Sequence, residues 1–203
     1  MGRLQRLGSA IANVLGALAV VCFSCAGAGA SEMSIAGNGL WLRGHIVPGD
    51  QVKFRELIDN AVQGRIAVVH LDSPGGDIYT AGEIARQIRS AGMTTVVDAS
   101  RDICASSRAV IFAGGVKRVY LHAGRVGGLS TGRGFKGSSF HEAVVSDLAG
   151  GGSLNGEATA VMVARFRELG APDAAELVDY APPCAIYGLS GPMALELGIA
   201  TTL

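Results

Sequence analysis

Short apolar runs alternate with amphipathic segments along most of the chain after residue 31. Runs of apolar and β-branched residues predict buried strands, and apolar residues recurring every three or four positions predict helices. The predicted strands span residues 39–46, 66–71, 94–97 and 118–121. The predicted helices span residues 54–61, 81–91, 106–113, 157–169 and 194–197. This alternation predicts an α/β fold of parallel βα units, in which helices cross over between neighbouring strands.

Residues 130–156 interrupt this alternation. The segment is polar and glycine-rich, with three consecutive glycines from Gly150 to Gly152. Such composition is typical of a long functional loop. We predict an insertion or lid here, with a short helix over residues 140–148.

The first thirty residues have the order expected of an export signal. Two arginines precede an uncharged stretch, residues 7–31, and small residues lead up to Ala30. This order predicts a secretory signal cleaved after Ala30. The uncharged run is also long enough to span a bilayer, so an uncleaved anchor through residues 7–30 is the alternative. Both readings predict a periplasmic or other extracytoplasmic location for one domain, residues 31–203, which meets a membrane only through an uncleaved N-terminal segment.

Composition excludes several classes of function. Apolar residues make up 49% of the chain, which is enough for a buried core, and the formal net charge is zero. No basic stripe is present, so nucleic acid is not a predicted partner. The sequence also lacks zinc-ligand spacing, a phosphate loop and a dinucleotide fingerprint. It therefore predicts no metal and no cofactor.

Only two cysteines, Cys104 and Cys184, follow the predicted signal. In an exported protein such a pair favours one disulfide. It would close a loop of about 80 residues, which the chain-entropy model values at about 4–5 kcal/mol. Two buried thiols are the alternative.

A turn with exposed backbone donors is predicted at residues 72–76. Asp72, Ser73 and Pro74 follow a buried strand, and Gly75 and Gly76 come next. Two glycines leave backbone N–H groups uncovered at the carboxyl end of a strand, where ligands of open α/β sheets bind. Such donors suit an oxyanion hole. An ordinary strand-to-helix turn is the alternative.

Ser106 lies about thirty residues further along, where a helix is predicted to begin. An isolated serine at this position is often only a helix cap. A nucleophile is also well placed there, because a helix N-terminus favours nearby negative charge. The N–H of Ser107 would then supply a second oxyanion donor.

From Ile46 to about Ala200 the chain resembles the Clp-type serine peptidases of the crotonase-like superfamily, especially their exported relatives. The matching segments are residues 44–46, 49–50, 71–76, 105–106, 111–115, 118, 123–127, 181–183, 187–190 and 197–200. The resemblance implies a spiral of ββα units, a nucleophile at Ser106, and an oxyanion hole from the Gly76 and Ser107 N–H groups. It also implies a peptide or protein ligand and self-association into homo-oligomers. Crotonases bind coenzyme A, but no feature of this sequence requires that ligand.

The chain departs from the family at the partners of the nucleophile. Leu129 stands where the family has its catalytic histidine, and Ile186 or Tyr187 stands where the acid falls. A serine without a base is a poor nucleophile. The sequence therefore predicts a weak or inactive peptidase, and the alternative is a non-catalytic binding or scaffold protein that uses the same cleft.

Other residues offer a replacement base, which would give a working hydrolase. His141 lies in the insertion and is the histidine candidate, whereas His45 and His70 are predicted to be structural strand residues. Lysine also serves as the base in some serine hydrolases, which makes Lys117 and Lys136 candidates.

Two charged residues flank the candidate nucleophile and turn. Asp77 is predicted to cap a helix rather than to act as an acid. Arg108 is predicted either to bind a carboxylate or to point to solvent.

Overall fold

The computed structural model describes residues 30–61, 66–100, 102–121, 137–140, 144–146, 152–154, 156–178 and 187–203. The helices are α1 Asp50–Ala61, α2 Ile78–Ser90, α3 Ser107–Ala113, α4 Gly156–Glu168, α5 Pro172–Leu177 and α6 Gly191–Glu196. The strands are β1 Glu32–Ala36, β2 Gly39–Arg43, β3 Val68–Asp72, β4 Thr94–Asp98, β5 Ile103–Ala105, β6 Lys117–Leu121, β7 Gly137–Phe140, β8 Val144–Ser146, β9 Gly152–Leu154 and β10 Tyr187–Gly188.

The main sheet has five strands in the order β1-β2-β3-β4-β6. Strands β2, β3, β4 and β6 are mutually parallel, whereas β1 pairs antiparallel with β2 as a hairpin. Leu42 of β2 pairs with Leu71 of β3, and both are fully buried. The predicted parallel sheet with crossover helices is confirmed, and the carboxyl ends of its strands lie at one edge.

Helix α2 shows how local signals set the element bounds. Asp77 is its N-cap, and the Asp77 carboxylate accepts a hydrogen bond of 2.7 Å from the Thr80 N–H. Ile84 and Ile88, one turn apart, are fully buried in the hydrophobic core. The predicted capping role of Asp77 is confirmed.

The prediction of a helix over residues 140–148 is wrong. Phe140 ends strand β7, and Val144–Ser146 form strand β8, which pairs antiparallel with β9. The β-branched pair Val144 and Val145 favours a strand, and pairing with β9 satisfies its backbone. Strand β7 lies in a second sheet of the order β10-β7-β5.

Several predictions concern parts of the chain outside the described residues. They are the signal or anchor before Ala30, and Cys184 as the partner of the buried Cys104 in a disulfide. These remain predictions. Within the part of the chain that the structure describes, no helix is both long enough and apolar enough to cross a bilayer.

Candidate active site

The turn at Gly75 and Gly76 is held against the segment that follows β2. The Ile46 N–H donates to the Gly75 carbonyl and the Asp77 N–H donates to the Ile46 carbonyl, both at 2.9 Å. In an extended segment, the backbone N–H and C=O groups of successive residues point to opposite sides. Because the Gly75 carbonyl and the Asp77 N–H both point towards Ile46, the Gly76 N–H points away from it. The Gly76 N–H is therefore available as an oxyanion donor.

Gly76 is required by both its conformation and its surroundings. Its φ is 144°, a backbone conformation that residues with a Cβ rarely adopt. A Cβ built at this position would lie 2.1 Å from the Ile46 carbonyl oxygen. The close approach of two backbone segments, and not a loose turn, explains the glycine.

The segments that carry the glycine turn and Ser106 come together just before these residues. Ser73 and Cys104 form a parallel bridge, which joins the segment after β3 to strand β5. Gly76 lies three residues beyond this bridge on one side, and Ser106 lies two residues beyond it on the other. The structure thus places the predicted nucleophile and the predicted oxyanion turn a few residues beyond one contact between their segments.

The backbone of Ser106 is strained. Its φ is 54° and its ψ is −132°. Among the described residues, Ser106 is the only residue other than glycine with a positive φ. Such a conformation costs about 1–3 kcal/mol and persists only where the surroundings impose it. Ser106 occupies the N-cap position of α3, but its side chain makes no capping hydrogen bond. Helix capping therefore does not explain the serine.

Ser107 begins helix α3 and is buried. The first N–H groups of a helix have no acceptor within the helix, so the Ser107 N–H is free of helical pairing. The first hydrogen bond of this turn runs from the Ala109 N–H to the Ser106 carbonyl. The Ser107 N–H is thus a suitable second oxyanion donor.

Arg108 does not reach solvent, so the prediction that it points to solvent is wrong. Its side chain is 0% exposed, and Nη2 donates to the Leu42 carbonyl. Burial lowers the pKa of Arg108 to about 9, while the nearby Cys104, Asp72 and Asp102 act in the opposite direction. The guanidinium therefore remains a cation at neutral pH, inside the protein.

Most of the residues predicted at the base and acid positions, or as replacement bases, lie outside the described residues. These are Leu129, His141, Lys136 and Ile186. Tyr187 belongs to β10, although its side chain is not described. Their contacts with Ser106 stay predictions.

Lys117 is separated from the site. It is exposed, and it pairs with Thr94 at the beginning of the parallel strand β4. Ser106 lies near the opposite edge, beyond the carboxyl ends of these strands. Lys117 is therefore excluded as the base.

The two described histidines lie in or beside strands, as predicted. His45 forms a bridge with Ala30, and His70 belongs to β3. The His70 ring stacks on Trp41 with 4.2 Å between ring centroids. The Arg43 guanidinium lies 4.5 Å from the centroid of Trp41, so this aromatic pair is part of the sheet surface.

Strand β7 is the part of the site that the sequence pattern did not reveal. It runs parallel to β5, and Ser139 pairs with Ala105, the residue before Ser106. Strand β7 therefore ends, at Phe140, beside the candidate nucleophile. Short polar strands such as Gly137–Phe140 carry little hydrophobic periodicity, so the pattern offered no signal for it.

Replacing Ser106 with glycine is expected to stabilise the protein. Glycine adopts a positive φ without steric cost, and Ser106 makes no capping bond that would be lost. We expect the melting temperature to rise by about 2–6 °C, since about 1–2 kcal/mol of strain is relieved in a chain of this size. Thermal unfolding followed by circular dichroism would measure it. Ser106→Ala keeps the strain and serves as the control, and an equal rise in both variants would contradict the explanation.

No protein-family model matches the chain, and no curated protein sequence matches it. Its fold is similar to the solved structure of a serine-to-alanine variant of the 1510-N membrane-bound stomatin-specific protease. The TM-score is 0.57 at 16% identity, over 83% of this chain and 80% of that chain. A lysine-to-alanine variant of the same protease, solved with a substrate peptide, gives a TM-score of 0.57 at 17% identity, over 80% of this chain and 72% of that chain. The chain therefore has the α/β fold of Clp-type proteases.

Proposed function

We propose that this protein is a peptide-directed serine hydrolase in which Ser106 is the nucleophile and the Gly76 and Ser107 N–H groups form the oxyanion hole. The observation that carries the proposal is the strained backbone of Ser106, at φ 54°, beside a glycine turn with a free donor. Strain of this kind concentrates at functional sites. The fold shared with a protease that was solved with a substrate peptide supports a peptide substrate.

The chemistry follows from this arrangement. The Ser106 hydroxyl attacks the acyl carbon of the substrate, and negative charge develops on the acyl oxygen. Two backbone N–H groups aimed at that oxygen stabilise the charge, and one such donor is worth about 10²–10³ in kcat. Attack also requires a base that takes the serine proton. Leu129 at the family's base position therefore implies slow turnover.

His141 is the proposed base. Strand β7 runs alongside β5 and ends at Phe140, next to Ser106. His141 follows Phe140 directly in the sequence, 35 positions after Ser106, and this adjacency to the end of β7 supports its choice as the base.

Lys136 is the competing base. The chain has three lysines, and Lys117 lies at the far edge of the sheet. Lys53 is half-exposed on α1, where it forms an ion pair of 3.2 Å with Asp50. Lys136 directly precedes β7, but Gly137 pairs with Ile103, three residues before Ser106. Lys136 thus adjoins, in the sequence, the end of β7 that is farther from Ser106 in the strand register, which is why we favour His141.

We also infer an extracytoplasmic location and a homo-oligomeric state. The order of charged, apolar and small residues in segment 1–30 supports export. Mass spectrometry of the protein from a periplasmic extract would show whether the chain begins at Ser31. Light scattering would give the oligomer size, and a monomer would contradict the second inference.

Labelling with a fluorophosphonate probe tests the proposed function. We expect slow covalent labelling of the purified protein, lost in Ser106→Ala and retained in Ser107→Ala, because the proposed role of Ser107 uses only its backbone. Circular dichroism would confirm that each variant is folded. A folded protein that takes no label would contradict the hydrolase and would favour the alternative, a non-catalytic binding or scaffold protein that uses the same cleft.

A further inference from the structure

Arg108 is the largest fully buried side chain among the described residues, and its hydrogen bonding is incomplete. Nη2 donates to the Leu42 carbonyl, whereas the buried Nε and Nη1 atoms have no hydrogen-bond partner. A buried cation with unmet donors destabilises a fold relative to an apolar side chain of similar size. Packing alone therefore gives no reason for an arginine at this position.

The single hydrogen bond of Arg108 joins two distant parts of the site. Arg108 lies in the first turn of α3, two residues after Ser106, and Leu42 lies in β2, 66 residues away. Beyond Leu42, the same segment continues along the glycine turn. The Gly44 N–H donates to the Asp72 carbonyl at 3.2 Å, and the Ile46 N–H donates to the Gly75 carbonyl at 2.9 Å.

The glycine turn is thus held between two segments. On one side lies the segment that continues β2, and on the other lies β5 through the bridge between Ser73 and Cys104. Arg108 connects α3, which follows the nucleophile, to β2, whose continuation pairs with the glycine turn. Residues two apart on a helix point in different directions, so Arg108 does not itself face the Ser106 side chain.

We propose that Arg108 is a positioning residue that fixes Ser106 relative to the Gly76 N–H. The expected effect of Arg108 on reactivity rests on the proposed function of Ser106, whereas its expected effect on the glycine turn does not. The planar guanidinium holds its donors in a rigid fork, which a flexible lysine or an apolar side chain does not reproduce. A displacement of about 1 Å between reacting groups is enough to slow a reaction about 100-fold.

Arg108→Met and Arg108→Lys test the proposal in the full-length protein. We expect Arg108→Met to keep or raise the melting temperature, because it removes a buried charge, and yet to label with fluorophosphonate at least tenfold more slowly. Arg108→Lys retains a donor and a charge, and it is expected to recover part of the labelling rate. A merely structural arginine would change the melting temperature without this partial rescue.

Arg118→Met is the matched control. Arg118 is also buried, but it donates to the carbonyls of Ile199 and Gly198 near the end of the chain. We expect this variant to lower the melting temperature and to leave the labelling rate of the folded protein unchanged. Equal labelling rates in Arg108→Met and the unmodified protein would overturn the proposal.

Hydrogen exchange separates this inference from the hydrolase itself. The Asp77 N–H, which donates to the Ile46 carbonyl, reports whether the turn is held. We expect this amide to exchange at least tenfold faster in Arg108→Met than in Arg118→Met, whether or not Ser106 takes the label. An unchanged exchange rate would overturn the positioning role, whereas absent labelling with faster exchange would contradict only the proposed hydrolase.

Discussion

Gly76→Ala is expected to destabilise the protein by about 2–6 kcal/mol and to abolish labelling of Ser106. The new Cβ would lie 2.1 Å from the Ile46 carbonyl oxygen and 2.8 Å from the Ile46 nitrogen, and both are backbone atoms that cannot rotate away. Positive φ in a residue with a side chain adds about 1–3 kcal/mol, and overpacking adds about 1–3 kcal/mol. In a chain of this size the melting temperature would fall by about 5–20 °C.

Gly37→Ala is the matched control for Gly76→Ala. Gly37 also has a positive φ, 62°, but no atom lies within 4 Å of a Cβ built there. It therefore isolates the conformational cost, which we expect to be about 1 kcal/mol. Thermal unfolding of both variants would measure the difference. Similar losses in the two would show that the turn moves away from Ile46 at little cost and is not the rigid donor that an oxyanion hole requires.

The four parallel strands of the main sheet could be predicted because they are buried and therefore leave a pattern, whereas the largely exposed edge strand β1 was not predicted. Val69 and Leu71 alternate with half-exposed residues along β3, and the helical spacing of Ile84 and Ile88 marks α2. The turn at Gly76 was also predictable, since consecutive glycines after a strand have few other uses. The sequence pattern did not predict the second sheet, because β7 and β5 are short and their pairing joins segments more than thirty residues apart.

The site was predicted in part, for a related reason. Ser106 and Gly76 are recognisable from neighbouring residues, and the structure places both beside the bridge between Ser73 and Cys104. The burial of Arg108 could not be foreseen, because arginine is almost never fully buried and helix α3 is too short to show a clear apolar face. Long-range contacts, such as that with the Leu42 carbonyl, leave no trace in local sequence.

Two features of the site act against stability and in favour of chemistry. The conformation of Ser106 and the incomplete pairing of Arg108 are both unfavourable for the fold. Natural proteins retain such features where activity requires them, which is why stabilising substitutions at active sites often reduce function. Relieving either feature, by Ser106→Gly or by Arg108→Met, is therefore expected to keep or raise stability and to lower reactivity. A gain in stability together with a loss of reactivity would distinguish a functional site from one that no longer has a function.

His141→Ala is expected to slow fluorophosphonate labelling of Ser106 by about 100-fold or more, because general base catalysis contributes about 10²–10⁴ to such rates. Lys136→Ala is expected to have little effect, and His45→Ala controls for the loss of a histidine elsewhere. Labelling rates measured between about pH 5 and 10 add an independent criterion. An unperturbed histidine must lose its proton to act as a base, so the rate should rise with pH and level off above about pH 6.5.

A lysine base would give a different profile. An amine must also be neutral to accept the serine proton, and its pKa is far higher, at about 10.4 when unperturbed and about 7–8 when tuned by burial. The rate would then continue to rise above pH 7, and Lys136→Ala rather than His141→Ala would remove it. Should neither substitution slow the reaction, Ser106 would be reacting without a base, and the Gly76 and Ser107 donors alone would account for its reactivity. That residual rate would agree with the prediction that Leu129 stands at the base position and that no other residue acts as the base.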